Sequence, residues 1–247
     1  MALVQSFEKT GNNLFRYRGQ LPLIIFIAAV PAIYFTDYSW VDQSIYYSLL
    51  AGSVLISCIG FVIRAITIGT TPRNTSGRNT KEQIAEVVNK TGIYSTVRHP
   101  LYLGNYFMWI GIVLYTFNFW FVLIISLAYW IYYERIMFAE ERFLEKKFGN
   151  DYLEWSNRVP AFWPSFKNKI PSKIPFSLKS VLRREYSGFI ATVAGFLFVD
   201  IVRDWILMPV YKFNMLYVYV FAGALLITLI LRTLKKSTKF LDEDGRW

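Results

Sequence analysis

The sequence holds one cysteine, Cys58, and one histidine, His99. A disulfide framework, a multi-cysteine zinc site, an HExxH metallopeptidase helix and a cysteine–histidine nucleophile pair with a spare partner all need more of these side chains. Chemistry without a metal is therefore expected. Charge is also scarce: 18% of the 247 residues are Asp, Glu, Lys or Arg, against 54% hydrophobic and 19% aromatic. That balance suits a bilayer rather than water as solvent. The formal net charge of +10 would suit nucleic acid if the basic residues shared one face of a soluble fold. They fall between apolar runs instead, so no nucleic-acid partner is expected.

A hydrocarbon core about 30 Å thick is crossed by roughly 20 apolar helical residues. Six stretches approach or reach that length, at approximately 21–35, 45–68, 101–117, 119–138, 188–207 and 210–231. The expected fold is an all-α polytopic membrane bundle of about six transmembrane helices. Only Phe117, Asn118 and Phe119 join the third to the fourth, which makes those two a tight hairpin. With the amino terminus inside, all of the 27 Lys and Arg residues except Arg64, Arg203 and Lys212 fall in inside segments. This is the positive-inside pattern, with both termini cytoplasmic. Tyr and Trp clusters such as Tyr34, Tyr38, Trp40 and Tyr129, Trp130, Tyr132, Tyr133 lie near span ends, as headgroup-level belts do. Three regions follow: a membrane core at 1–164, a basic cytoplasmic linker at 165–187, and two additional spans with a basic tail at 188–247.

The polar segments that flank the hairpin, 71–102 and 134–164, must lie on one membrane face because a hairpin returns its ends together. Arg98, His99 and Tyr102 thereby come within side-chain reach of Glu134, Glu140, Glu141 and Glu145. As a helix leaving the fourth span, positions 134, 138, 141 and 145 form one stripe with Glu140 to its side. Glu141 and Glu145 are like charges four residues apart, which costs an isolated helix roughly 0.2–0.5 kcal/mol, so a cationic partner is expected. These glutamates could equally face water or pair with Arg135, Arg142 and Lys146. Glu134 lies at the membrane end of an aromatic span, where an unpaired carboxylate is expensive. Pro100 presets a helix start and favours an extended approach at Arg98 and His99. Arg98 could snorkel to headgroups and His99 cap a turn, or both could meet an anion.

Residues 92–105 read GIYSTVRHPLYLGN, which resembles the GxYxxxRHPxYxG signature of the isoprenylcysteine carboxyl methyltransferase and phospholipid N-methyltransferase superfamily. After the hairpin come Glu134, Glu140-Glu141, Leu144, Phe148-Gly149, Tyr152, Arg158-Val159-Pro160 and Pro164, similar to the family's E, EE, FGxxY and RVP elements in order and spacing. The resemblance covers about 45–164. It implies an integral membrane methyltransferase that uses S-adenosylmethionine in a cytoplasm-facing pocket and admits a lipophilic acceptor sideways from the bilayer. No glycine fingerprint of the soluble GxGxxG kind is present, consistent with that pocket. By carry-over, Tyr94, His99, Pro100, Tyr102, Gly104 and Glu141 would contact or shape the cofactor site and Glu140 would support it. Arg98 and Arg158 would face anionic groups at the reaction centre. Trp155 stands where relatives often carry tyrosine, and Ala161 where many carry a polar or basic residue; both put the acceptor in doubt more than the cofactor.

Methyl transfer from a sulfonium needs alignment and water exclusion more than a strong acid. An oxyanion acceptor needs no base, whereas an amine would use Glu134 or Glu141. Arg64, near the inner end of the second span, and the loop at 70–80 with Arg73, Arg78 and many hydroxyl and amide donors suit phosphate, although an ordinary solvated turn has the same composition. The first expectation is O-methylation of a lipid phosphate, as in the lipid A 1-phosphate methyltransferases of this superfamily, in a bacterial inner membrane. A prenylcysteine carboxylate is second and a phospholipid amine third. From other classes, a sterol-type reductase using NADPH and a transporter with Arg64 and Glu134 in its pathway stay open.

Overall fold

The computed structural model describes residues 2–72, 83, 85–167, 169–208 and 214–246. Among these, every regular element is helical: α1 (Leu3–Tyr17), α2 (Leu21–Tyr34), α3 (Gln43–Gly69), a short 3-10 turn (Gly92–Ser95), α4 (Pro100–Leu114), α5 (Phe119–Phe148), α6 (Asn150–Ser156), α7 (Leu178–Leu207) and α8 (Met215–Ser237). Three of them, α3, α5 and α8, are long and apolar enough to cross a bilayer alone. Helices α1 and α2 qualify only together and are bent by 81°, which makes up to four spans. The 14 residues of α2 and 15 of α4 reach only about 21–23 Å at 1.5 Å per residue. The expected segments at 21–35 and 101–117 are thus real helices, each shorter than a hydrocarbon core. The 30-residue α7 carries Arg183, Arg184, Glu185, Asp200, Arg203 and Asp204, leaving a charge-free middle too short to qualify alone.

Helix α1 was not anticipated, because its apolar residues form a stripe on a polar helix rather than a run. Phe15 is buried, and a Cβ on Gly11 would lie 2.0 Å from the Arg135 carbonyl and 2.7 Å from the Ala139 side chain. The helix therefore lies almost backbone-to-backbone on the polar end of α5. Phe7 packs edge-on against Phe138, with ring centroids 5.7 Å apart.

The hairpin between α4 and α5 turns on Phe117, the one described non-glycine residue at positive φ (59°). Its ring is buried among those of Tyr38, Tyr46 and Tyr115, and this packing offsets an unfavourable backbone. Asn118 caps α5 by accepting from the Phe121 amide at 2.8 Å, while its own amide donates to Thr36 Oγ1 at 2.8 Å. Small residues let α3 and α4 touch, as is usual where lipid supplies no hydrophobic drive between helices. A Cβ on Gly104 would meet the Arg64 stem at 2.5 Å and the Gly60 carbonyl at 3.0 Å. The missing side chain of Gly104 thus makes room for α3.

Helix α7 packs against α2, α3 and α4. Apolar side chains of α3 (Leu55, Ile59, Val62), α5 (Ile124, Leu127, Ile131) and α8 (Leu226, Leu229, Ile230) are exposed, which is the surface a lipid-facing bundle presents. At one end of the bundle Phe15, Tyr102, Leu103, Tyr129, Tyr133 and Phe162 pack together, and Tyr152, Trp155 and Val159 form a smaller cluster. The candidate site lies where these clusters meet.

Candidate functional site

The site begins with two backbone runs held side by side. Arg98 N donates to Pro160 O at 2.9 Å, His99 N to Ala161 O at 3.2 Å, and Ser165 N to Thr96 O at 2.9 Å. Gly149 (φ 55°) takes the left-handed turn by which the chain leaves α5 for α6, and this brings residues 152–165 back over residues 94–99. Trp155 Nε1 then donates to Tyr94 O at 3.2 Å and Arg98 Nη1 to Ser156 O at 2.6 Å. The two sequence departures have local roles here: Trp155 fastens α6 to the 3-10 turn, and Ala161 serves through its carbonyl.

His99 is buried at the start of α4. Its Nε2 lies 2.9 Å from Glu141 Oε1 and its Nδ1 3.5 Å from Glu140 Oε2. The Tyr102 hydroxyl donates to Glu140 Oε1 at 2.7 Å, and the His99 and Tyr102 rings stack at 5.8 Å with 17° between planes. Arg98 Nε stands 3.0 Å from Glu141 Oε1, an ion pair without hydrogen-bond alignment. Tyr94, half-buried on the 3-10 turn, has its phenol pushed up to about 12, mainly by burial, so it stays a neutral donor.

Burial disfavours an imidazolium, but hydrogen bonds and charge from Glu140 and Glu141 outweigh it and raise the His99 pKa above its ordinary 6.5. A histidine held this way contributes stability that is complete below the unfolded value and is lost as pH rises through the folded one. Thermal unfolding of the apo protein, scanned upward from pH 6.5, is expected to show falling stability in that window. His99→Asn is expected to flatten the slope, and an unchanged slope would assign it to other groups.

The expected stripe of Glu134, Phe138, Glu141 and Glu145 is not the working unit. An imidazole presents nitrogens on opposite edges, and adjacent positions such as 140 and 141, about 100° apart around a helix, can straddle it. Phe138 instead packs on α1, Glu145 pairs with Arg142 at 2.6 Å, and Glu134 is exposed with no ion pair or hydrogen bond among the described residues. Arg158 is also outside the cluster, exposed and 3.9 Å from Glu154. Pro100 is buried at the first position of α4. Arg64 holds Glu185 of α7 through two contacts of 2.7 Å and also donates to Asn105, so its fork is already filled. Arg73 and Arg78 lie outside the described residues. Glu185, Asn105, Tyr133 and Tyr152 were not anticipated as site residues; only Tyr152, in the FGxxY element, carried a sequence signal.

Two buried polar atoms beside Glu141, Arg98 Nε and the Tyr152 hydroxyl, have no hydrogen-bond partner among the described residues. Together with two partly exposed carboxylates, they form a donor and acceptor set suited to a polar, zwitterionic ligand. Among the described residues, no cluster of three or more His, Cys, Asp or Glu side chains could hold a metal ion.

Residues 47–151 match the family described as phospholipid methyltransferase. The chain is 29% identical over 151 residues to the protein-S-isoprenylcysteine O-methyltransferase of Saccharomyces cerevisiae, covering 60% of this chain and 63% of that protein. It is 30% identical over 115 residues to the enzyme of the same name from Schizosaccharomyces pombe, 44% and 48% of the two chains. It is 26% identical over 141 residues to the nickel-cobalt-cadmium resistance protein NccN of Alcaligenes xylosoxydans xylosoxydans, 57% and 60%. The chain thus spans about half to three-fifths of the length of these relatives. No solved structure matches it significantly. The matched segment contains the hairpin and both arms of the His99 cluster, and over that segment the chain is similar to the isoprenylcysteine carboxyl methyltransferases and phospholipid methyltransferases.

Proposed function

We propose that this protein transfers the methyl group of S-adenosylmethionine to an anionic oxygen of a lipophilic acceptor that enters from the bilayer. The observation that carries the reading is the cluster of Arg98, His99, Glu140, Glu141 and Tyr152 on two motif segments brought together by the hairpin. Arg98 Nε would take the cofactor's carboxylate, Glu141 and Glu140 its ammonium or ribose hydroxyls, and Tyr152 a remaining polar edge. When bound, S-adenosylmethionine supplies a sulfonium methyl that leaves while its bonding electrons stay on sulfur. The protein's residues align and desolvate: the Tyr102 and Tyr133 rings wall the site on its membrane side, and Arg98 offsets negative charge.

Among acceptors, a carboxylate of the prenylated-cysteine kind accounts for more than a lipid phosphate. The two yeast relatives carry that name, and Arg64 is already bound to Glu185. Phospholipid N-methylation is the second reading, favoured by the exposed, unpaired Glu134 as a base for an amine. The distribution of Lys and Arg supports six spans with α4 and α7 among them, both termini and the cluster facing the cytoplasm, and the inner membrane if the source is bacterial. It also supports a catalytic core at 1–164 joined by a basic linker to an appended pair of helices.

Calorimetry on the detergent-purified protein tests the reading. S-adenosylmethionine or its demethylated product is expected to bind and NADPH not. Heat with NADPH alone would favour a reductase, and none with either would favour transport. Mass spectrometry with a prenylcysteine, a lipid phosphate and an aminophospholipid then identifies the acceptor by the gain of one CH₂.

A further inference from the structure

Arg64, half-buried, and Glu185, buried, form a two-point ion pair across 121 residues of sequence, with Arg64 Nε on Oε2 and Nη2 on Oε1, each at 2.7 Å. Glu185 belongs to α7, beyond the matched segment 47–151. Arg64 reaches it because Gly104 leaves the Arg64 stem a path along α4. The remaining Nη1 donates to Asn105, and the Asn105 side chain also meets the Tyr133 hydroxyl. Tyr133 stacks on Tyr129 at 4.1 Å and packs on Tyr102 at 4.8 Å, while the Tyr129 hydroxyl donates to the Tyr102 carbonyl at 2.7 Å. Tyr102 in turn holds Glu140 and stacks on His99. Asn105 faces the Tyr133 hydroxyl without an aligned hydrogen bond, the other links are packed or hydrogen-bonded, and the route runs from the appended helix to the methyl-donor cluster.

We propose that Glu185 is a positioning residue of that cluster: by clamping Arg64 it fixes Asn105 and the Tyr133–Tyr102 ring column, and so sets Glu140 against His99. An arginine has several free torsions, and ordering them costs entropy. A bidentate carboxylate fixes its plane, which a single contact would not. Without Glu185 the half-buried guanidinium would keep one neutral partner and would turn toward water, releasing Asn105. The pocket is thus completed by α7 rather than only decorated by it. The kinetic consequence rests on the methyltransferase reading, but the geometry does not.

The chain's single histidine makes the test direct, because one labelled imidazole gives one NMR resonance. Facing His99 are Glu140 and Glu141 of α5, Tyr102 of α4 and the neighbouring Arg98, with Tyr152 of α6 behind Glu141. In the full-length protein in nanodiscs, Glu185→Gln is expected to move the His99 titration midpoint down toward the ordinary 6.5 and to weaken S-adenosylmethionine binding several-fold. Arg64→Gln combined with Glu185→Gln removes both charges; the midpoint is expected to stay lowered, and its return to the wild-type value would reduce Glu185 to a distant charge and overturn the proposal. Tyr133→Phe cuts the route without touching the ion pair, and it serves if Glu185→Gln does not fold. It is expected to lower the midpoint too. An unchanged midpoint with only a lower unfolding temperature would make the pair a plain helix staple. Failure of the wild-type protein to bind S-adenosylmethionine would overturn the proposed function, while the titration would still decide the role of Glu185.

Discussion

Glu141→Ala is expected to weaken S-adenosylmethionine binding by about 1–3 kcal/mol, the range for leaving buried polar partners unsatisfied, or about 5- to 150-fold in Kd. Three groups converge on this carboxylate: His99 Nε2 at 2.9 Å, Arg98 Nε at 3.0 Å and the Tyr152 hydroxyl. Its loss would leave a buried imidazole with Glu140 alone, and Arg98 held only through Nη1 on the Ser156 carbonyl. Glu141→Gln keeps the shape but loses the charge that favours the imidazolium, and should fall between the two. Glu145→Ala one turn away is the control. Its pair with Arg142 is about one-third exposed on both sides, and exposed pairs of that kind contribute about 0–1 kcal/mol. Calorimetric titration of the three variants reads the ranking directly, and equal affinities would reduce Glu141 to a structural ion-pair partner.

Arg203→Leu is expected to be the most damaging single change to stability outside the site, at about 3–5 kcal/mol for breaking a buried ion pair. Arg203 of α7 is buried, pairs with Asp200 and donates to the Tyr115 carbonyl at 2.9 Å. Its guanidinium lies over the rings of Tyr115 at 4.4 Å and Phe117 at 4.7 Å. Asp200 also accepts from the Tyr115 and Tyr46 hydroxyls. One charged pair thereby ties α7 to the turn of the α4–α5 hairpin and to the start of α3. Removing the cation strands Asp200 in a site built around two charges. In a chain of this size the loss corresponds to about 10 °C in unfolding temperature. Asp200→Asn in the same background should recover part of it, since a neutral amide tolerates burial better than an unpaired carboxylate. Scanning calorimetry in detergent checks both, and a shift of only a degree or two would show that water already reaches the pair.

The helical, lipid-facing character of the chain is readable from its apolar runs, because a bilayer requires every backbone polar group to be satisfied within the segment. The hairpin is readable too: three residues between two apolar stretches, with Asn118 able to cap, admit little else. From the hairpin alone it follows that residues 98–102 and 140–141 meet. Short-range periodicity goes no further. It grouped Glu134 and Glu145 with Glu141, whereas the imidazole of His99 selects the adjacent pair Glu140 and Glu141, since two ring nitrogens need acceptors on opposite edges. The family resemblance implied Arg158 at the reaction centre, whereas in the folded chain that side chain is exposed beside Glu154.

Composition and local pattern were enough for the solvent, the secondary structure and the approach of the two motif arms, since each depends on residues within a few helical turns. The partner of Arg64, the docking of α1 onto α5 and the fastening of α7 at both of its ends depend on how whole helices rotate and approach one another. That is decided by small residues such as Gly11, Gly60 and Gly104 acting across contacts that are distant in sequence. A buried charge takes whichever opposite charge the packing delivers, and the chain alone does not say that Glu185 is the one delivered.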